Sequence, residues 1–194
     1  MSKSDPSSPK KERNKAIRWV VTIFLSTILI TSIISLASEE IMSVSAMPVA
    51  FAILLVIIFV GILFDIIGVA VTSADEKPFH SMAARKVPGA LESIRLLRNA
   101  EKVGSICNDV VGDICGVISG SASATIAAQV LQNFEFSWPR LASLLMSALV
   151  AGLTVGGKAI GKGLAINSCT KIVHLVGLTI HRLQSIPMIF KKKK

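Results

Sequence analysis

Aromatic residues are scarce in this chain, and their scarcity argues against one class of partner. They make up 5% of the 194 residues, and tyrosine is absent. Proteins that bind single-stranded nucleic acid combine basic grooves with aromatic side chains on which bases stack. The net charge of +9 therefore lacks the platform that a nucleic-acid partner would need. We expect no nucleic acid among the partners of this protein.

Cysteine and histidine are scarce too, and neither has the spacing of a disulfide framework, a metal site or a catalytic site. The cysteines lie at positions 107, 115 and 169, are odd in number and form no Cys-x-x-Cys pair. This pattern favours small buried side chains over disulfides or metal ligands. The histidines, at positions 80, 174 and 181, have no nucleophile or acid beside them at catalytic spacing. The sequence thus indicates that the protein is not an enzyme.

Charged residues are few in four long apolar runs, and 52% of the chain is apolar. A membrane-spanning helix needs about 20 predominantly apolar residues. The predicted spans are residues 17–37, 48–72, 103–131 and 141–166. We therefore predict an all-α, polytopic helical membrane protein with four transmembrane helices. The first run ends in Ser35-Leu36-Ala37, which suits a signal peptidase, but its length exceeds the usual h-region and favours a retained anchor.

The basic residues fall almost entirely on one predicted side of the membrane. Of the 21 Lys and Arg residues, all except Arg140 fall before Trp19, between the second and third runs, or from Lys158 onward. Cytoplasmic loops carry such an excess. We expect a multi-pass protein of the cell membrane with both termini cytoplasmic and its basic residues near anionic lipid headgroups. The expected organisation is a disordered basic tail (1–15), an anchor span (16–37), a transmembrane domain (48–186) and a second basic tail (187–194).

The connection after the second run, residues 73–101, is amphipathic and basic, and Pro88-Gly89 divides it into two short predicted helices. Such a helix pair has two interpretations. In one, it lies in the membrane interface with its basic face toward headgroups; in the other, which is compatible with the first, it packs on the cytoplasmic ends of the spans. A further apolar stretch at 172–183 is too short to cross the membrane, and Pro187 is expected to end it.

The third run carries acids and small residues where hydrocarbon is expected. Asp109 and Asp113 are four residues apart and adjoin Asn108. A carboxylate inside a bilayer usually faces a cavity, a partner charge or an ion path. Small residues let two helices approach closely, so we predict that the third and fourth spans pack through their glycine rows. These rows are Gly104, Gly112, Gly116 and Gly120 on the third span, and Gly152 and Gly156 on the fourth.

The order of these pieces resembles the transmembrane domain of the CNNM and CorB/CorC family of magnesium transport proteins. The segments that carry the resemblance are Val69-Ala70-Val71-Thr72-Ser73, Arg98-Asn99-Ala100-Glu101-Lys102 and Gly157-Lys158-Ala159-Ile160-Gly161-Lys162. They stand where that family has its Ser-Glu-Thr-Ala-type, Asn-Pro-Glu-Arg and Gly-Glu-x-x-Pro-Lys motifs. Gly68 replaces the first motif's glutamate and Lys158 that of the last. The resemblance implies divalent cation transport, without the CBS pair that usually follows, so a separate protein could supply regulation.

Two interpretations of the buried charges remain open. In the first, oxygen ligands bind Mg²⁺, which prefers octahedral oxygen coordination and retains several waters. The predicted ligands are Asp65, Asp109, Asp113, Asn108 and Ser105. In the second, the acids pair with Lys158 and Lys162, and the charges and glycines only assemble the bundle or a homodimer. Under this interpretation the chain is a relative of the family that keeps the fold without transport.

Overall fold

The computed structural model describes residues 8–133 and 138–191, and within those ranges the chain is helical apart from short links. Between α5 and α6 the helix continues through a π-helical segment, Ile106–Gly112. The α-helices are α1 Ser8–Val44, α2 Met47–Ser73, α3 Lys77–Ala84, α4 Ala90–Arg98, α5 Ala100–Ser105, α6 Asp113–Asn133, α7 Pro139–Asn167 and α8 Cys169–Lys191.

Four of the helical stretches are long and apolar enough to cross a membrane, which confirms the all-helical class and the four predicted runs. They are Ile17–Met42, Met47–Ser73, Ala100–Gln132 and Pro139–Asn167. The third combines α5, the π-helical segment and α6, and is called the α5–α6 run below. Their lengths match the span that a bilayer demands of a helix.

Helix α2 forms the centre of the bundle, packed against both α7 and the α5–α6 run. One apolar core lies near its beginning and includes Leu54, Ile126 and Val150. A second lies near its end and includes Val71, Ala165 and Val173. Helix α1 is peripheral, because no residue of its apolar window is buried.

Contacts of α1 define the two ends of the bundle. At one end Gln129 Nε2 donates a hydrogen bond of 2.9 Å to the carbonyl of Met42. At the other, Lys102 Nζ lies 5.7 Å from the centroid of the Trp19 ring. This second end, where α2 and α7 finish and α5 begins, also holds α3, α4 and α8, and we call it the basic end.

At the basic end, α4 packs on α8 instead of standing alone. Ser93 is fully buried, and its Oγ donates to the carbonyls of Gly89 at 2.9 Å and Val173 at 3.2 Å. Glu92 Oε1 lies 3.1 Å from Nδ1 of His181 on α8. Gly89, which precedes α4, has a φ of 83°, a left-handed conformation that favours glycine. These contacts hold α4 on α8, and Ile94 of α4 belongs to the same apolar core as Val71 of α2 and Ala165 of α7.

Helix ends differ from the sequence prediction at three places. Helix α1 begins at Ser8, inside the tail predicted to be disordered, and continues to Val44, beyond the predicted span end at 37. Helix α8 is 23 residues long and passes Pro187, where an end was predicted. A proline removes one backbone donor and strains one turn, a local cost that a longer helix can absorb. Residues 1–7 and 192–194 of the predicted tails lie outside the described residues.

Candidate functional site

The centre of the bundle is a close antiparallel contact between α2 and the α5–α6 run. A Cβ added to Gly61 would lie 2.9 Å from Cys115 Cβ, and one added to Gly104 would lie 2.8 Å from Thr72 Cγ2. Both distances are shorter than ordinary van der Waals contact, so glycine is what allows the two helices to come this close. The candidate site lies between these two contacts.

Asp65 is the buried charge of this interface. It projects from α2 between the levels of Gly61 and Gly68, and the residue is only 5% exposed. Its Oδ2 atom is buried and has no hydrogen-bond partner among the described residues. An unpartnered buried polar atom is expensive, and an unpartnered carboxylate oxygen more so. Such an orphan in a native site calls for a proton, an ion or a water to satisfy it.

The π-helical segment brings Asn108 against the same face of α2. The Asn108 side chain occupies the space that a Cβ on Gly68 would need, with its Cγ 2.7 Å from that position. Its Oδ1 atom is also buried and has no partner within the described chain. A π-turn holds one more residue than an α-turn and is frequent at functional sites. Here it directs an amide toward the interface at the level of Asp65.

Lys158 reaches this level from α7. Its Nζ donates to the carbonyl of Gly112 at 3.3 Å and lies 3.9 Å from Asp113 Oδ1. A Cβ on Gly112 would lie 3.3 Å from Lys158 Nζ and 3.9 Å from Asp65 Oδ1. The ammonium and the buried carboxylate therefore approach the same small space at Gly112 from two different helices.

The structure does not bring the predicted metal ligands together. Asp65 is buried, but Asp109 and Asp113 are exposed, the Asp113 side chain by 71%. Within the described ranges no group of three His, Cys, Asp or Glu residues could hold a metal ion. The physical reason is the direction of the side chains: Asp65 is buried between α2 and the α5–α6 run, whereas Asp109 and Asp113 lie on the exposed side of that run. Ser105 lies at the end of α5 and is half-buried.

The predicted charge partners are only partly brought together. Lys158 lies beside Asp113, as expected if the acids pair with lysines, whereas Lys162 is exposed on α7. The side chain of Lys158 is 22% exposed, so this pair lies at the edge of the bundle.

The glycine rows do not hold the third and fourth spans face to face. No described atom lies within 4 Å of a Cβ added to Gly116, Gly120, Gly152 or Gly156. Gly116 and Gly120 instead line a cleft of about 350 Å³ between α6 and α7, together with Ser119, Ser123, Thr154 and Lys158. The close contacts of Gly104 and Gly112 are with Thr72 and Lys158. Helix α7 approaches α2 through other glycines, because Gly157 and Gly161 meet Ile62 and Ile66.

Sequence reasoning missed the glycines of α2. Gly61 and Gly68 flank Asp65 on one helical face, since residues three and four apart lie on the same side of a helix. That spacing was the available signal. A buried acid framed by small residues on the second span predicts that its partner helix passes directly over the acid.

Comparison with known proteins finds no matching protein-family model, no similar curated protein and no similar solved structure. The resemblance to the CNNM and CorB/CorC transmembrane domain accordingly rests on the order and spacing of the segments in the sequence.

Proposed function

We propose that this protein binds a cation inside its helix bundle and moves it across the membrane, with Asp65 as the central ligand. The observation that carries the proposal is the buried Oδ2 of Asp65, which has no partner among the described residues. The second buried orphan nearby, Asn108 Oδ1, is also an acceptor. A cation that reaches both atoms would satisfy two acceptors that have no donor, and ionisable residues within spans typically mark ion pathways.

Mg²⁺ is the first cargo to test. It prefers hard oxygen ligands and keeps several of its waters, so one carboxylate and one amide oxygen are a sufficient protein contribution. The cleft between α6 and α7 has hydroxyl-bearing residues along its wall and reaches Lys158, next to the site. The resemblance to magnesium transport proteins favours the same ion. A proton would satisfy the same oxygen, and the experiment below separates the two.

The membrane setting belongs to the same proposal. The protein crosses the cell membrane four times with its basic end in the cytoplasm, where Lys and Arg side chains meet anionic headgroups. A homodimer and a separate regulatory protein are the partners that this view allows.

The test is melting of the purified protein across a magnesium series, for the parent, Asp65→Asn and Asp109→Asn. A ligand that binds only the folded state stabilises it by about 2.7 kcal/mol at a hundred times its Kd. We expect magnesium to stabilise the parent and Asp109→Asn, whose carboxylate is exposed, but not Asp65→Asn. Uptake and efflux of magnesium by cells deprived of their other magnesium systems then tests transport.

Three outcomes separate the possible cations. Stabilisation by magnesium, manganese or cobalt that requires Asp65 supports a metal cargo. Stabilisation that follows pH, requires Asp65 and ignores every metal identifies the cargo as a proton. A parent whose melting responds to none of these contradicts the proposal.

A structural role is the second candidate, because Lys158 Nζ lies 3.9 Å from Asp113 Oδ1. In that case the pair helps to select which helices meet. Asp113→Asn would destabilise the protein equally with and without magnesium, and Lys158→Gln in the same chain would restore part of the loss, the signature of a coupled pair.

A further inference from the structure

We propose that Lys158 is a tethered cation that holds the ion position while the site is empty of cargo and is displaced when a divalent cation binds. This inference rests on the proposed function. Its first support is the position of the ammonium, which contacts two oxygen atoms, the Gly112 carbonyl at 3.3 Å and Asp113 Oδ1 at 3.9 Å. A carbonyl and a carboxylate are ligands of the type that hard cations take.

The second support is the shared space at Gly112. A Cβ there would lie 3.3 Å from the ammonium and 3.9 Å from Asp65 Oδ1. Both groups thus border the same point beside Gly112. Asp65 Oδ2 nevertheless remains without a partner in the described structure. The ammonium is therefore a neighbour of the buried carboxylate, while its own contacts are with the Gly112 carbonyl and Asp113.

The third support is the charge of the ammonium itself. Lys158 Nζ and Asp65 Oδ1 both border the same point beside Gly112. Like charges a few Å apart repel each other, so a divalent cation beside Asp65 and the ammonium in its present position compete.

The fourth support is that Lys158 has somewhere to go. A lysine has a flexible four-carbon stem and commonly extends along apolar surface to carry its charge to water. Lys158 lines the cleft of about 350 Å³ between α6 and α7 and is already 22% exposed. Withdrawal into this cleft frees the space at Gly112 without moving a helix.

The experiment measures the Kd for Mg²⁺ by melting across a magnesium series in the parent, Lys158→Met and Lys158→Arg. Lys162→Met is the matched control, since Lys162 is on the same helix and exposed. Methionine keeps an unbranched stem and removes the charge. We expect Lys158→Met to bind Mg²⁺ about tenfold more tightly or better, because the competing charge is gone. Lys158→Arg and Lys162→Met should bind no more tightly than the parent. A Kd in Lys158→Met that equals or exceeds the parent value overturns the tether.

A second measurement needs no substitution in the site. The parent is treated with an amine-acetylating reagent with and without Mg²⁺, and modification of Lys158 and Lys162 is quantified by mass spectrometry. Displacement into the cleft should raise acetylation of Lys158 severalfold relative to Lys162. If magnesium leaves the ratio of Lys158 to Lys162 acetylation unchanged, the proposal for Lys158 is contradicted. This measurement holds even if Lys158→Met fails to fold. If magnesium stabilises the parent through Asp65 but either of these two measurements fails, only the proposal for Lys158 is contradicted. If magnesium does not stabilise the parent at all, the proposed function itself is contradicted.

Discussion

Gly177 on α8 offers a sharp test of how the basic end is built. A Cβ added there would lie 2.5 Å from the carbonyl oxygen of Gly89 and 3.0 Å from the backbone nitrogen of Ser93. It would also meet Ser93 Oγ. The first two atoms belong to the backbone at the start of α4 and cannot rotate away. Gly177→Ala therefore forces α4 to move off α8.

The expected cost follows from the contacts that are lost. Overpacking of one methyl group costs about 1–3 kcal/mol when backbone must shift. Separation of the helices also stretches the bond of 3.2 Å from Ser93 Oγ to the Val173 carbonyl, and a net hydrogen bond contributes about 0.5–1.5 kcal/mol. Alanine returns about 1 kcal/mol through its better helix propensity. We expect Gly177→Ala to lower the free energy of unfolding by about 1–3 kcal/mol.

The assay is thermal melting in detergent, combined with hydrogen exchange of the α4 amides. Gly163→Ala is the control, because no described atom lies within 4 Å of a Cβ at Gly163 and only the propensity gain applies. We expect the α4 amides to lose protection in Gly177→Ala and to keep it in Gly163→Ala. If Gly177→Ala melts at or above the parent with full α4 protection, α4 is not docked on α8 as described.

Further predictions concern the site, the basic end and the topology. Gly68→Ala should displace Asn108 and weaken magnesium-dependent stabilisation. Gly116→Ala should not lower the melting temperature, since a Cβ there meets no neighbouring helix within 4 Å. The reverse result in melting curves would contradict the site geometry. Burial acts to raise the pKa of Glu92, but the hydrogen bond with His181 and the charges of His181 and Arg95 hold it below its ordinary value of 4.5. The contribution of ionised Glu92 to the free energy of unfolding is thus complete above pH 4.5 and declines as pH falls through the lower folded pKa. Glu92→Gln should therefore reduce the loss of stability that the parent shows at acid pH. If the loss is the same in both proteins, Glu92 does not cause it. A reporter fused after residue 194 should be active only in the cytoplasm, and activity outside it would refute the proposed topology.

The membrane class could be predicted from sequence because it depends on composition alone. Long apolar runs are recognisable without knowledge of a partner helix, and all four reappear as helices long enough to cross a bilayer. Helix ends were less predictable, since Val44 and Pro187 lie in helices that continue beyond the apolar runs. A helix-breaking residue such as Pro187 raises the free energy of the local helix, and packing and the neighbouring turns determine whether the helix ends there.

The site was predictable in its residue types but not in its grouping. Asp65, Asn108 and Lys158 were all recognised from their rarity in apolar sequence. Only the structure shows that Asp65 and Lys158 border the same point beside Gly112 and that Asn108 lies against Gly68. The joint use of Asp109 and Asp113 with Asp65 assumed that all three face the interior. The sequence does not give the rotation of the α5–α6 run about its axis, and in the structure Asp109 and Asp113 are exposed. The π-helical segment at Ile106–Gly112 was not predicted from the sequence.

The position of Lys158 bears directly on the choice between an ion site and a structural charge pair. Desolvation is most expensive for the acid that is least exposed, so a lysine selected only for stability should neutralise Asp65, at 5% exposure, before Asp113, whose side chain is 71% exposed. The observed contact is with the exposed acid and a backbone carbonyl, and Oδ2 of the buried acid is left without a partner in the described chain. A bundle assembled by charge pairing alone would have the opposite arrangement. A site that must release its resident positive charge to admit another cation would need such an incomplete satisfaction of Asp65, because a fully paired carboxylate would have no free coordination to offer.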